Sequence, residues 1–439
     1  MILHSILTAL GVLRPRTVAS VVLCLSVLTD DIAGASGRGR VAEPPAFSAR
    51  STDDWGLAES TPATQPRWTD VKTVEVAGNK VTLSNPRLVA RRKGYLWFPT
   101  LYRLSDGAWL ASMSDYADEH ANDSTGWLAW SEDGGYSWSE PQHAKYGECP
   151  VTLANGDAVL LPYYLRHDSD DQISRAYQLV SRGKRQAKLI ESGVKVTGWP
   201  RKPGELKDHG GKAEWNLSAF VFNGQSVRLA DGKTTLATLY GHFAGTKRYS
   251  LVAAETTDGV AWRIRSIVAD ENCPLEGAEG PCEAAICRLK DGRLMCVFRL
   301  ASNLPYGQCF SSDDGRTWTE PVAMQGPFSV QPSLAVRADG SVALSGGRPG
   351  LFLWINRDGS GLTWERIDLM AHHNACVPAE PIKAAGNTTA YTEVAVLDDT
   401  HLLMIYDCVP NGWAALPADS SETNSVWVVR VTLEAIPER

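Results

Sequence analysis

The chain has 439 residues, of which 44% are hydrophobic and 21% charged, and its formal net charge is −7. That length supports one large domain or two ordinary ones, each able to bury a sizeable core. The acidic balance, with pI near 5.8, argues against a general nucleic-acid binder, which carries a basic patch or stripe. No apolar run reaches the roughly 20 residues that a membrane-spanning helix needs.

The first predicted element is a leader. Arg14 and Arg16 precede the 12-residue apolar run TVASVVLCLSVL (Thr17–Leu28), and the small residues Ala33-Gly34-Ala35 follow it. That order is expected of a secretory signal peptide over 1–35, giving an exported chain in the periplasm or outside the cell. Residues 36–67 are rich in Pro, Ser and Thr and read as a linker. A single domain is expected over 68–439.

Within 68–439 one phrase recurs. RLSDGAWLASM, TLANGDAVLLPYY, RLADGKTTLATLY, RLKDGRLMCVFR and VRADGSVALSGG each set Asp-Gly or Asn-Gly between alternating apolar residues, and VLDDTHLLMIYD is a weaker sixth copy. Asp-Gly between such runs is a strong hairpin signal. The turns at Gly107, Gly156, Gly232, Gly292, Gly340 and Asp399 are 49, 76, 60, 48 and 59 residues apart. Strand-rich periods near 40–50 residues mean propeller blades, and longer steps mean loop insertions. The expected fold is therefore all-β, a six-bladed propeller.

A second motif runs in phase with the first. SEDGGYSW (Ser131–Trp138) and SSDDGRTW (Ser311–Trp318) share S-x-D-x-G-x-[ST]-W, with TTDGVAW (Thr256–Trp262) one residue short and NRDGSGLTW (Asn356–Trp364) one long. Each is expected to be a structural turn on the outer hairpin of its blade. The Asp accepts backbone N–H bonds, the Gly takes positive φ and the Trp packs beneath. The strand-like VKTVEVAGNKVTL (Val71–Leu83) is expected to close the ring beside SVWVVRVTLE (Ser425–Glu434).

Removal of the leader with Cys24 leaves eight of the nine cysteines. Cys273 and Cys282 bracket a Gly/Pro-rich loop and are the candidate disulfide. A two-residue turn at Asp291-Gly292 sets Cys287 opposite Cys296, as buried thiols.

Six blades carrying these Asp boxes resemble the sialidase (neuraminidase) superfamily over nearly the whole exported chain. The resemblance implies an exo-glycosidase with a tyrosine nucleophile, acting on sialic acid or a related acidic sugar without a cofactor. A phenol needs a partner base and nearby cations to attack at neutral pH. Arginines suit a sugar carboxylate because the guanidinium fork binds it bidentately. TAYTEVAVLDDTHLLMIYD resembles the nucleophile segment and implies Tyr391. PCEAAICRLKDGRLMCVFR implies Glu283 as the activating base and Arg299 as the second clamp arginine, and SGGRPGLFLWINRDG implies Arg348 as the third.

Two parts depart from the family pattern. At the first clamp position, YLWFPTLYRLSDG places Trp97 where the arginine is expected, with Arg87, Arg91 or Arg92 as upstream substitutes. The acid lies in SDYADEHANDSTGWLAW, with Asp118 nearest the family spacing and Asp123 second. MAHHNACVPAEP adds His372 and His373, which could reach the same pocket and would suit a lyase abstracting the proton α to a uronate carboxylate. The readings left open are thus an exo-glycosidase of sialidase type, a lyase or hydrolase of uronic-acid glycans, and a non-catalytic glycan-binding propeller. All three take an acidic glycan as partner.

Overall fold

The computed structural model describes residues 51–56, 68–76, 78–104, 106–115, 125–145, 149–153, 158–161, 165, 174–181, 186–204, 220–384, 386–410 and 422–436. The expected leader, most of the expected linker, and Asp118 and Asp123 lie outside them. Within the expected linker, Ser51–Gly56 forms a strand antiparallel to Gln186–Thr197.

The repeated phrases fold as hairpins, with a loop one residue longer than Asp-Gly alone implies. Leu289 N–H bonds Arg293 C=O and Gly292 N–H bonds Leu289 C=O, which leaves a three-residue loop, 290–292. Asp291 accepts the N–H of Arg293 at 3.0 Å, and Gly292 sits at φ 92°, a conformation glycine adopts without steric cost. The Leu104–Ala108 and Arg337–Ser341 hairpins repeat the pattern. The extra residue shifts the register. Cys296 pairs with Ile286 on one side and Cys309 on the other, and Cys287 pairs with Met295. The expected Cys287–Cys296 opposition is corrected accordingly.

The strands build a propeller-like ring of sheets, almost entirely β. Trp97–Arg103 begins one four-stranded sheet, Cys282–Arg288 a second and Val330–Val336 a third. Glu393–Val396, His401–Cys408 and Asn424–Ala435 form a fourth sheet that Asn79–Ser84 and Asp70–Val76 extend. The N-terminal strand segment thus pairs with the last strand, as ring closure requires. In place of six separate blades, the described strands form five hydrogen-bonded sheets. The cause is the 12-residue strand Gln186–Thr197, whose far end runs on to pair in parallel with Ala261–Ala269. That contact fuses the units beginning at Cys149–Thr152 and Val221–Arg228 into one nine-stranded sheet.

Side-chain packing still follows six units. Apolar clusters join Leu110 and Trp130 to Leu160, Val159 to Phe222, Leu251 to Phe298, Val297 to Leu344, Leu353 to Met404, and Ile405 back to Met113. Alternation along each strand sends one set of side chains to each neighbouring unit. Each fully buried Leu, Ile, Val or Phe stabilises the ring by roughly 1.5–3 kcal/mol.

The Asp boxes are structural, as expected. Asp133 accepts Tyr136 N–H and Ser137 N–H at 3.1 and 2.9 Å, and Trp138 Nε1 donates to Gly135 C=O at 2.9 Å. Asp313 repeats the two backbone bonds, with Arg316 and Thr317. In the short box, Asp258 accepts from Val260 and Ala261. In the long one, Asn356 takes the place of the leading Ser and receives Gly361 N–H.

The first strands of the units converge on an axial cavity of about 220 Å³, lined by residues including Thr100, Gln225, Gln331, Ser333, Thr392 and Glu393. Backbones approach closely there. A Cβ on Gly224, at φ 84°, would lie 1.7 Å from the carbonyl oxygen of Ala284, so only glycine fits.

Candidate active site

Irregular backbone aims four segments at one spot. The pairing register shifts between Trp97 and Thr100, between Cys282 and Ala284, and between Val330 and Ser333. Such bulges re-aim side chains that a regular pleat would send into the neighbouring sheets. Phe98 (φ 50°), Glu283 (34°), Arg348 (78°) and Ala390 (58°) are non-glycine residues in the left-handed region. Each costs on the order of 1–3 kcal/mol, and such strain gathers where function holds it in place.

At this spot Tyr391 Oη donates a short hydrogen bond to Glu283 Oε1. Arg299 Nη1 bridges the pair, 2.7 Å from Glu283 Oε1 and 3.2 Å from Tyr391 Oη. The second carboxylate oxygen of Glu283 accepts Gln331 N–H at 3.0 Å. Burial pushes the Glu283 pKa up, but the Arg299 charge and the bonds from Tyr391, Arg299 and Gln331 outweigh it and hold the carboxyl below its usual range. Glu283 is therefore an ionised acceptor facing the phenol proton. Arg299 lies almost wholly buried, and although burial works against its charge, Glu283, Tyr391, Cys282 and Glu279 push its pKa well up.

Arg348 also reaches the ring of Tyr391. Its guanidinium carbon lies 5.5 Å from the Tyr391 ring centroid, Nη2 donates to Thr389 C=O at 2.7 Å and Nη1 to Ser302 Oγ at 3.5 Å. The structure thus brings together Tyr391, Glu283, Arg299 and Arg348 from three sheets.

Other expected residues fall elsewhere. Trp97 is buried behind the site, its ring 4.9 Å from Tyr95 and 5.0 Å from Phe98. The aromatic group against Tyr391 is Phe98, edge-on at 4.8 Å. Arg87 caps Tyr136, Arg91 pairs with Glu380, and Arg92 covers Trp127, so the upstream arginines are used in packing. His372 and His373, expected as substrate-binding, lie in the helix Leu369–Cys376 and face the core of the last sheet. His372 Nε2 bonds Ser84 C=O at 2.8 Å, while His373 bonds Tyr406 Oη and Glu380 C=O, both at 2.9 Å. Burial lowers both pKa values. The candidate disulfide is also corrected, because Cys273 and Cys282 are both free. The Cys282 thiol faces Arg299 C=O at 3.6 Å and Glu279 Oε2 at 3.7 Å.

Besides Phe98, two residues at the site went unrecognised in the sequence. Asp407, buried at the end of His401–Cys408, accepts Thr388 Oγ1 and Thr389 N–H, each at 2.8 Å, and Phe98 N–H at 3.3 Å. It also takes a short bond from Thr389 Oγ1. One carboxylate thereby ties down both the approach to Tyr391 and the ring packed against it. Glu279, on the loop before Cys282–Arg288, accepts Arg299 Nη2 at 2.8 Å. Neither sits in a recognisable local motif.

Among solved structures, a protein of unknown function from Dyadobacter fermentans aligns over 82% of this chain and 100% of its own, at 17% identity and TM-score 0.58. A NanB sialidase variant from Streptococcus pneumoniae aligns over 86% of this chain and 72% of its own, at 14% identity and TM-score 0.52. At such identities the likeness is one of fold. No curated protein matches the sequence. The model of the BNR repeat-like domain matches residues 181–404, which span three of the four Asp boxes, Tyr391, Glu283 and both arginines. The chain belongs to the BNR repeat-like domain family, on a propeller that solved sialidases share.

Proposed function

We propose that the protein is an exported exo-glycosidase of sialidase type, releasing a terminal sialic acid or a related acidic sugar. The observation that supports this best is the Tyr391–Glu283 hydrogen bond with Arg299 bridging both groups. A structural tyrosine does not need an ionised carboxylate aimed at its hydroxyl in a strained, multi-sheet junction.

In the first step Tyr391 Oη attacks the anomeric carbon while Glu283 takes the phenol proton, and the bond to the leaving oxygen breaks as an acid protonates it. Asp118, or Asp123 in its place, is the proposed acid. In the second step water attacks the same carbon, gives its proton to that aspartate, and displaces Tyr391, which recovers its proton from Glu283. Arg299 stabilises the phenolate character that develops on Tyr391, and Arg348 faces the sugar carboxylate. No cofactor takes part.

Product chemistry separates the readings. Incubation with a sialylated glycoconjugate is expected to release free sialic acid. An ultraviolet-absorbing unsaturated uronate from a uronic-acid glycan would mark a lyase instead, a reading that lost its base when His372 and His373 proved to be core residues. Binding without turnover on any acidic glycan would mark a carbohydrate-binding propeller.

A further inference from the structure

Both terminal nitrogens of Arg299 are already occupied, and its Nε–H is buried. A guanidinium carries two N–H groups on each terminal nitrogen. Those of Nη1 meet Glu283 and Tyr391, and those of Nη2 meet Glu279 Oε1 at 2.8 Å and Ser302 Oγ at 3.4 Å. Arg299 alone meets both carboxylates of the cluster, so a sugar carboxylate approaching it would enter a site where two negative charges are already present. Of the two, Glu283 is locked from three sides with a side chain only 9% exposed, whereas the Glu279 side chain is 35% exposed. Glu279 hangs from a loop whose backbone is fixed by Tyr249 N–H on its own carbonyl, which leaves the side chain the part able to move.

We propose that Glu279 is a specificity-determining residue, holding the edge of Arg299 that a sugar carboxylate would need, so that an acidic sugar binds only by displacing it. The proposal rests on the glycosidase reading of this cluster and deepens it. Exchange of one carboxylate for another on Nη2 makes the site discriminate weakly in favour of acidic sugars while Glu279 is ionised, and more strongly once it is neutral. The groups facing Glu279 are Arg299, Glu283 and the Cys282 thiol, with Arg248 and Tyr249 across the loop backbone. Burial raises its pKa, Arg299 opposes the rise and Glu283 adds to it, with a net shift upward. Falling pH therefore neutralises Glu279 ahead of an ordinary surface carboxylate and frees Nη2 while the sugar carboxylate stays ionised. Acidic-sugar affinity rises in that direction.

Calorimetric titration of the full chain with N-acetylneuraminic acid, and with N-acetylglucosamine as the neutral control, tests this. At neutral pH, Glu279→Gln and Glu279→Ala are expected to bind N-acetylneuraminic acid about 10-fold more tightly than the parent, the equivalent of one charged hydrogen bond. Their affinity is expected to change less with pH than that of the parent, and the N-acetylglucosamine affinity to stay within about twofold. Equal or weaker acidic-sugar binding in both variants would overturn the proposal and make Glu279 a support for Arg299. An unchanged pH dependence, or no binding by any of the three forms, would overturn it too. The readout is binding alone, so failure of the nucleophile assignment shows up separately, in the turnover of Tyr391→Phe.

Discussion

Tyr391→Phe is expected to fold like the parent and to lose turnover by about 10³-fold or more, the scale seen when a nucleophile is removed from a working cluster. The ring stays, and with it the edge contact to Phe98 and the position under Arg348. Only the hydroxyl goes. Glu283 then still holds Arg299 Nη1 on Oε1 and Gln331 N–H on Oε2, so no buried charge is stranded. The stability change is expected to stay within about 1 kcal/mol. Thermal melting beside steady-state hydrolysis checks both halves. Turnover within tenfold of the parent in a folded variant would remove Tyr391 from the chemistry.

The second large effect is expected at Asp407, a positioning residue that touches no substrate. Its carboxylate gathers four donors from two segments and fixes Thr388–Thr389, immediately before Ala390 and Tyr391, together with the backbone of Phe98. Burial pushes its pKa up while those hydrogen bonds pull it down, and the balance lies above the usual carboxylate range. Asp407→Ala takes the acceptor from the buried Thr389 N–H, at a cost of about 1–3 kcal/mol. Asp407→Asn keeps the volume and one acceptor oxygen, but it turns an amide NH₂ toward one set of donors. In that folded variant kcat is expected to fall about 100-fold with KM changed little, because a displacement near 1 Å at the nucleophile is enough. A loss confined to melting temperature, with kcat intact, would make Asp407 purely structural.

What could be read in the sequence was whatever the chain writes locally. A hairpin phrase and an Asp box each close over fewer than ten residues, so composition and spacing carried them, and their phase carried the ring. Loop length was misjudged by one residue because Asp-Gly suits both a two-residue turn and the last two places of a three-residue loop. Hydrogen bonding between the units beginning at Cys149–Thr152 and Val221–Arg228 escaped because it depends on a strand overrunning its own hairpin. The meeting of Tyr391, Glu283, Arg299 and Arg348 in one cluster was legible through the resemblance, since each holds a fixed place relative to a hairpin. Phe98, Glu279 and Asp407 were not. Phe98 and Asp407 meet across 309 residues of chain, and Glu279 acts through a guanidinium that the sequence had already assigned to the ligand. The histidine pair misled for the opposite reason. A polar dipeptide near Tyr391 in sequence is carried on a short helix whose buried side faces the last sheet.

The proposed mechanism requires Tyr391 to become covalently bonded to the sugar. A fluorinated sialosyl fluoride, which forms the first intermediate faster than water can cleave it, offers the most direct measurement when the digested protein is mapped by mass spectrometry. One added sugar is expected on the peptide containing Tyr391 and none on Tyr391→Phe. A label on Glu283 or on any other residue, or continued turnover with no label at all, would contradict that mechanism.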